Sequence, residues 1–263
     1  MNVDELLIRE SLLKTKMGKA FLCDRVVFRG KDLHNELGEL DWFSLYFFSI
    51  TGRILNEPEL KLMNYFWVST SYPDPSIWPN HICALAGTTR STASLSIMAG
   101  LSASEASIYG RRPERKAIDF FYKAAEAIED GETIEAYVDE QIALKKTIYG
   151  YGRPLARIDE RVPHTLKLVK ELELDNGKHL KIALDVYRYL KDAKGLSMNI
   201  AAIDAALAAD VGLTPEEYQL FMSPCFIAGM VPCYLDAKEI PEGGFFPLKC
   251  SSIVGETKAR RNW

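Results

Sequence analysis

Residues 199–239, NIAAIDAALAADVGLTPEEYQLFMSPCFIAGMVPCYLDAKE, decide the fold class. Apolar side chains recur there at three- and four-residue spacing, the pattern of helices that bury one face. Thr214-Pro215-Glu216-Glu217 is a helix start: a capping hydroxyl, a proline in the first turn, and a carboxylate that reaches back three residues later. Helices are expected at 198 to 210 and at 214 to 238.

The same periodicity extends outward over most of the chain, with Gly and Pro falling mainly between the periodic segments. Asp41 caps an expected helix through WFSLYFFSI that stops at Gly52, and Asn56 and Pro58 open the next, to about Ser69. Three prolines keep SYPDPSIWPN irregular. From Asn80 to about Leu101 small residues dominate, which predicts a buried packing helix and is compatible with packing against a second copy. Further helices are expected at about 114 to 130, 132 to 146, 160 to 174 and 179 to 193, with IYGYGRPLAR at 148 to 157 as the clearest interruption. RVVFRG (25 to 30) and PLKCSSIVG (247 to 255) alternate as strands do and are expected to pair as a small ribbon. The fold class is therefore all-α with a minor ribbon.

Composition narrows the function classes. With 263 residues and 48 % hydrophobic content the chain has ample material for a core. A net charge of -4 and a pI near 5.7 give no overall field that attracts polyanions, so no nucleic-acid or membrane partner is expected. No segment approaches the roughly 18 uninterrupted apolar residues of a membrane helix. The five cysteines are odd in number, widely spaced and free of CxxC pairs, and the N-terminus lacks a basic start followed by an apolar run. Together these lead to the expectation of a cytoplasmic protein with reduced thiols. There is no P-loop, G-x-G-x-x-G, G-x-S-x-G or H-E-x-x-H, and four dispersed histidines do not have metal-ligand spacing. Neither a metal nor a tightly bound cofactor is expected.

Four stretches resemble the citrate synthase superfamily, and most its short members, the citryl-CoA lyases. VVFRGKDLHNELGELDWFSLYFFSITGRILNEPE resembles the family's short ribbon, R-G-x-D-L turn, helix and T-G-x-L-P-x-x-E. YGYGRPLARIDER resembles the P-G-F-G-H loop with its following D-P-R. NIAAIDAALAADVGLTPEEYQLF resembles N-V-D and the return helix, and AGMVPCYLDAKE the P-G-x-x-A-H-x-x-E helix. The resemblance implies an all-α homodimer. It also implies a large domain, 1 to 111 with 203 to 263, closing on a small one, 112 to 202, over a cleft that receives an acyl-CoA and a carboxylate.

At the positions where that family does its chemistry, this chain differs. The resemblance implies a histidine in an H-G-G turn acting on the enol oxygen and an aspartate in N-V-D taking the α-proton. Matching H-G-G-A-N-E to YGRRPE puts Tyr109 at the histidine, with Gly110 and Glu114 preserved, and matching N-V-D to NIA puts Ala201 at the aspartate. The loop histidine falls on Arg153, and the D-H of an earlier turn falls near Tyr72-Pro73. A phenol with an ordinary pKa near 10 is a poor proton shuttle at pH 7, and alanine cannot abstract a proton. Citrate synthesis or citryl-CoA cleavage by the family route is not expected.

The remaining candidates are cationic, with one carboxylate. Arg157 falls on the family's carboxylate-gripping arginine, Arg153 adds a cation four residues away, and Arg161 matches D-P-R; guanidinium forks pair bidentately with carboxylate or phosphate. The alternative is a set of surface ion pairs with Asp159 and Glu160. Arg111 and Arg112 begin a basic run, with Arg115 and Lys116, that would meet CoA phosphates if it borders the cleft; the alternative is a solvated helix start. Asp204, three residues after Ala201, is a candidate for a displaced carboxylate, against an exposed or capping aspartate. His81 reads as a core histidine, His164 as an exposed helix start, and His34 and His179 as surface residues. KARRNW at the C-terminus resembles the basic tail with which some family dimers reach the partner's site. Two readings follow: a rebuilt site acting on a CoA thioester or related carboxylate by C–C bond formation or cleavage, or a binding or regulatory protein that has kept the fold.

Overall fold

The computed structural model describes residues 3–9, 14–107, 110–145, 147–152, 158–242 and 249–253. By its internal contacts the chain divides into two units, Met1–Leu60 and Lys61–Trp263.

The first unit contains α1 (Val3–Arg9), a three-stranded antiparallel ribbon and α2 (Trp42–Thr51). Strand β1 (Gly18–Phe21) pairs with β2 (Arg25–Phe28) in the register Gly18 to Phe28, and β2 pairs with β3 (Lys31–Asp32). The expected strand at 25 to 30 is thus present, but its partners are its sequence neighbours. Cys250–Ser252, in the other proposed strand, forms a 3-10 turn.

The Arg29-Gly30 turn has both residues at positive φ. It aims the Arg29 guanidinium at the end of α2, where Nε donates to Ser49 O at 2.9 Å and Nη2 to Ile50 O at 2.7 Å. Those carbonyls lack partners within their own helix, and a cation there also complements the helix dipole. At the other end, Asp41 accepts from Ser44 N at 2.8 Å, and Gly52 ends α2 in the left-handed region, as expected. Helix α3 (Glu57–Thr70) opens with Asn56 and Glu59 bonding each other's backbone N–H.

The second unit is helical: α4 (Trp78–Thr88), α5 (Ala93–Ser104), α6 (Arg111–Glu129), α7 (Ile134–Lys145), α8 (Arg161–Glu171), α9 (Lys178–Lys194), α10 (Ile200–Asp210), α11 (Pro215–Met222) and α12 (Ile227–Glu239). Helix α10 is its axis. Residues 202 to 209 are all buried, and α6, α8 and α9 pack around it because its alanines let them approach. Thr214 and Glu217 form the expected capping box at the start of α11.

Two expected helices are each broken in two. Residues 80 to 101 divide at Thr89–Thr92 into α4 and α5, with Arg90 at φ 58°. Helix α4 is packed against α12 and α5, while α5 exposes Leu95 and Met98. Residues 214 to 238 divide at Ser223–Phe226 into α11 and α12. Their combined length and apolarity would suffice to cross a membrane, and 44 % of the most apolar window is buried inside the fold.

Candidate active site

The site is built where α10 begins. Asn199 caps that helix, its Oδ1 accepting from Ala201 N at 3.0 Å, while its Nδ2 donates to Gly152 O at 2.9 Å and its own N–H to Gly150 O at 2.9 Å. Gly152 N donates to Ser197 O at 2.7 Å, and Tyr151 bridges to Met198. The 147–152 turn is therefore laced to the start of α10. Gly150, at φ 93°, lies so close that a Cβ there would stand 2.6 Å from Ala202 Cβ, so only glycine fits.

Asp159 completes the N-terminus of α10. Its Oδ2 accepts from Ile200 N at 3.0 Å, and both its oxygens take Arg161, from Nε and from Nη2, each at 2.8 Å. Burial alone would raise the Asp159 carboxyl, but the Arg161 fork and the Ile200 amide outweigh it and hold the group below the usual carboxylate range. Arg161 stacks on Tyr72, its guanidinium carbon 5.3 Å from the ring centroid, and the Tyr72 hydroxyl donates to Glu160 Oε1 at 2.9 Å. Asn80, 1 % exposed, holds that loop by donating to Tyr72 O at 2.6 Å and Asp74 O at 3.0 Å.

Below this lies a buried polar cluster. Gly110, at φ 76°, opens α6, and a Cβ there would collide with Ser104 O, so the turn requires glycine. Arg111 departs from the expectation of a surface or phosphate-facing cation, being fully buried. Its Nη1 donates to Met222 O at 2.6 Å and lies 2.7 Å from Glu114 Oε2, and its plane covers the Phe226 ring at 4.6 Å. Among the described residues Glu114 Oε2, despite that ion pair, receives no well-angled hydrogen bond, and Asp204 Oδ1 and Tyr218 Oη are buried without a hydrogen-bond partner. Burial pushes Glu114 up to about 7 against the pull of Arg111 and Arg161. It drives Asp204 well above the usual carboxylate range, with Arg161 opposing and Glu114 and Asp159 reinforcing.

The sequence candidates separate accordingly. Tyr109, Arg153 and Arg157, and the tail KARRNW, lie outside the described residues. Arg161 is at the site, but Asp159 is its buried partner rather than a surface ion pair. Asp204 is neither exposed nor a cap: it points into the cluster, whereas Ala201 is half-buried. Arg112, Arg115 and Lys116 do lie on the outer side of α6, beside a depression of about 870 Å³ shared with Glu105, Thr214 and Gln219. Arg115 there donates to Gln219 at 3.1 Å, and Lys116 to the Tyr149 hydroxyl at 3.2 Å. His34 and His164 are exposed as expected and His81 is half-buried with Nδ1 3.0 Å from Pro75 O, but His179 is no surface residue. Its Nδ1 lies 2.9 Å from Asp210 Oδ1 and its ring meets Tyr122 edge-on. The roles of Asp159, Tyr72 and Tyr218 went unread. The D-P-R resemblance covered Asp159 only as a motif match, and an acid two residues before an arginine is common on surfaces.

A family model described as citrate synthase, C-terminal domain, matches residues 25–232. The citryl-CoA lyase of Hydrogenobacter thermophilus superposes with a TM-score of 0.81 at 21 % identity, over 96 % of this chain and 97 % of that one. The ATP citrate lyase of Methanothrix soehngenii, solved with citrate and coenzyme A, gives 0.72 at 17 % identity over 99 % of this chain and 45 % of its own. The citrate synthase of Thermoplasma acidophilum, in a ternary complex with carboxymethyl coenzyme A and oxaloacetate, gives 0.66 at 16 % identity over 84 % and 59 %. No curated protein matches by sequence.

Proposed function

The chain belongs to the citrate synthase family, and from that premise we propose that it acts on a CoA thioester or a related carboxylate by C–C bond formation or cleavage, through a site rebuilt around arginines. One observation carries this reading. The Asp159–Arg161 fork is kept at the start of α10, stacked on Tyr72, with two of the three guanidinium nitrogens committed to Asp159. Among the described residues Nη1 has no hydrogen bond, and the Arg161 side chain keeps 19 % of its surface. A fixed, partly exposed guanidinium is suited to a substrate carboxylate.

In this reading Arg153, Arg157 and Arg161 hold the acid and Tyr109 donates a hydrogen bond that polarises the carbonyl. Arg112, with Arg115 and Lys116, faces the CoA phosphates, and Arg111 supports the site from within. Citrate and coenzyme A, found in the Methanothrix structure, are the first ligands to try. The functional unit is proposed to be a homodimer, supported by Leu95 and Met98, each 63 % exposed on the small-residue helix α5.

The test is exchange of the acetyl-CoA α-protons in deuterated water, followed by NMR. The wild-type chain should exchange them slowly, and Tyr109→His combined with Ala201→Asp should speed exchange at least about a hundredfold, the lower end of the usual range for a positioned acid–base group. If neither protein exchanges them, the thioester reading fails and the binding or regulatory reading, favoured by Ala201 at the base position, takes its place.

A further inference from the structure

The buried cluster holds more carboxyl groups than cations. Asp159, Glu114 and Asp204 are 1 %, 9 % and 2 % exposed, and they share two guanidinium groups. Arg161 is committed to Asp159 through two nitrogens, and Arg111 to Glu114 and Met222 O. Among the described residues Asp204 is left without a cation of its own and with Oδ1 unpartnered. The charged and phenolic groups that act on it come from several elements: Arg111 and Glu114 from α6, Asp159 from the turn before α8, Arg161 from α8, the phenol of Tyr218 from α11 and that of Tyr65 from α3. An ionised carboxylate enclosed beside two others is strongly disfavoured.

We propose that Asp204 carries a proton at neutral pH and thereby positions Arg161, leaving its Nη1 free for a ligand carboxylate until the proton is lost. Ionised, Asp204 becomes a second anionic partner for the same guanidinium. It then draws Arg161 inward and adds a negative charge behind the carboxylate position. This makes Asp204 a positioning residue in place of the base suggested by its spacing from Ala201. The inference rests on Arg161 being the carboxylate grip.

Two measurements test it. Infrared spectra of the unliganded protein at pH 7 should contain a protonated carboxyl band that Asp204→Asn removes; absence of that band in the wild-type protein overturns the proposal. Citrate affinity, titrated calorimetrically between about pH 7.5 and 9.5, where citrate is already fully ionised, should weaken about tenfold in the wild-type protein and stay flat in Asp204→Asn. Equal slopes in the two proteins also overturn it. Should Asp204→Asn fail to fold, loss of the wild-type band on raising pH, in step with the affinity, replaces the comparison, and a band that persists while affinity falls refutes the inference. No citrate binding at any pH, with the band present, sinks the carboxylate grip itself and so separates the two failures.

Discussion

At Glu114 two forces act on one proton. Burial raises its pKa to about 7 while Arg111, at 2.7 Å, opposes it. Because the folded value lies above the unfolded one, near 4.5, the associated stability is full below about pH 4.5 and is lost as pH rises through 7. The decline amounts to up to about 3 kcal/mol. Urea denaturation between pH 5 and 8 should show it, and Glu114→Gln should reduce the slope; an unchanged slope would assign it elsewhere. Gly150→Ala is expected to cost about 2 kcal/mol or more by the same assay, since φ 93° and the Ala202 contact both reject a Cβ. At this scale sequence was a partial guide. Gly110 and Glu114 were identified by their place in YGRRPE, but the inward turn of Arg111 was not. Helical spacing fixes a face only when the neighbours are known, and an arginine at a helix start is ordinarily solvated.

Helix α10 shows how much an element depends on residues outside it. Asp159 both caps its first free amide and neutralises Arg161, so Asp159→Ala leaves a mostly buried guanidinium unpaired, at a cost of about 3–5 kcal/mol in chemical denaturation. Ala205→Leu, inserted among helices that approach through alanines, should cost about 1–3 kcal/mol. The helices of the second unit were legible from periodicity, and the Thr214 and Asp41 caps from residue type. The break at Ser223–Phe226 had a signal, because Pro224 lacks an N–H and disfavours helix at the residue before it. The break after Thr88 was marked only by Gly87 in the last turn of α4. Arg90 stabilises it by donating to Gly87 O at 2.9 Å and to Ile240 O at 2.8 Å, a partner 150 residues away.

For the molecule as a whole, a pair of changes on α5, Leu95→Asp with Met98→Asp, tests the proposed dimer. Sedimentation should give a dimer for the wild-type chain and a folded monomer for the variant; a wild-type monomer would refute that arrangement. The architecture was readable because four stretches kept their order and spacing over most of the chain, and the superposition on the Hydrogenobacter lyase bears out the fold. Chemistry was less readable, because Arg111 with Glu114, Asp159 with Arg161, and Asp204 lie far apart in sequence and come together only as a three-dimensional cluster. The most direct measurement is a calorimetric titration of the purified protein with acetyl-CoA and with CoA alone. Saturable micromolar binding, weakened at least about tenfold by Arg112→Ala with Arg115→Ala, is the predicted result. No heat from either ligand, with an unshifted melting temperature, would contradict the account.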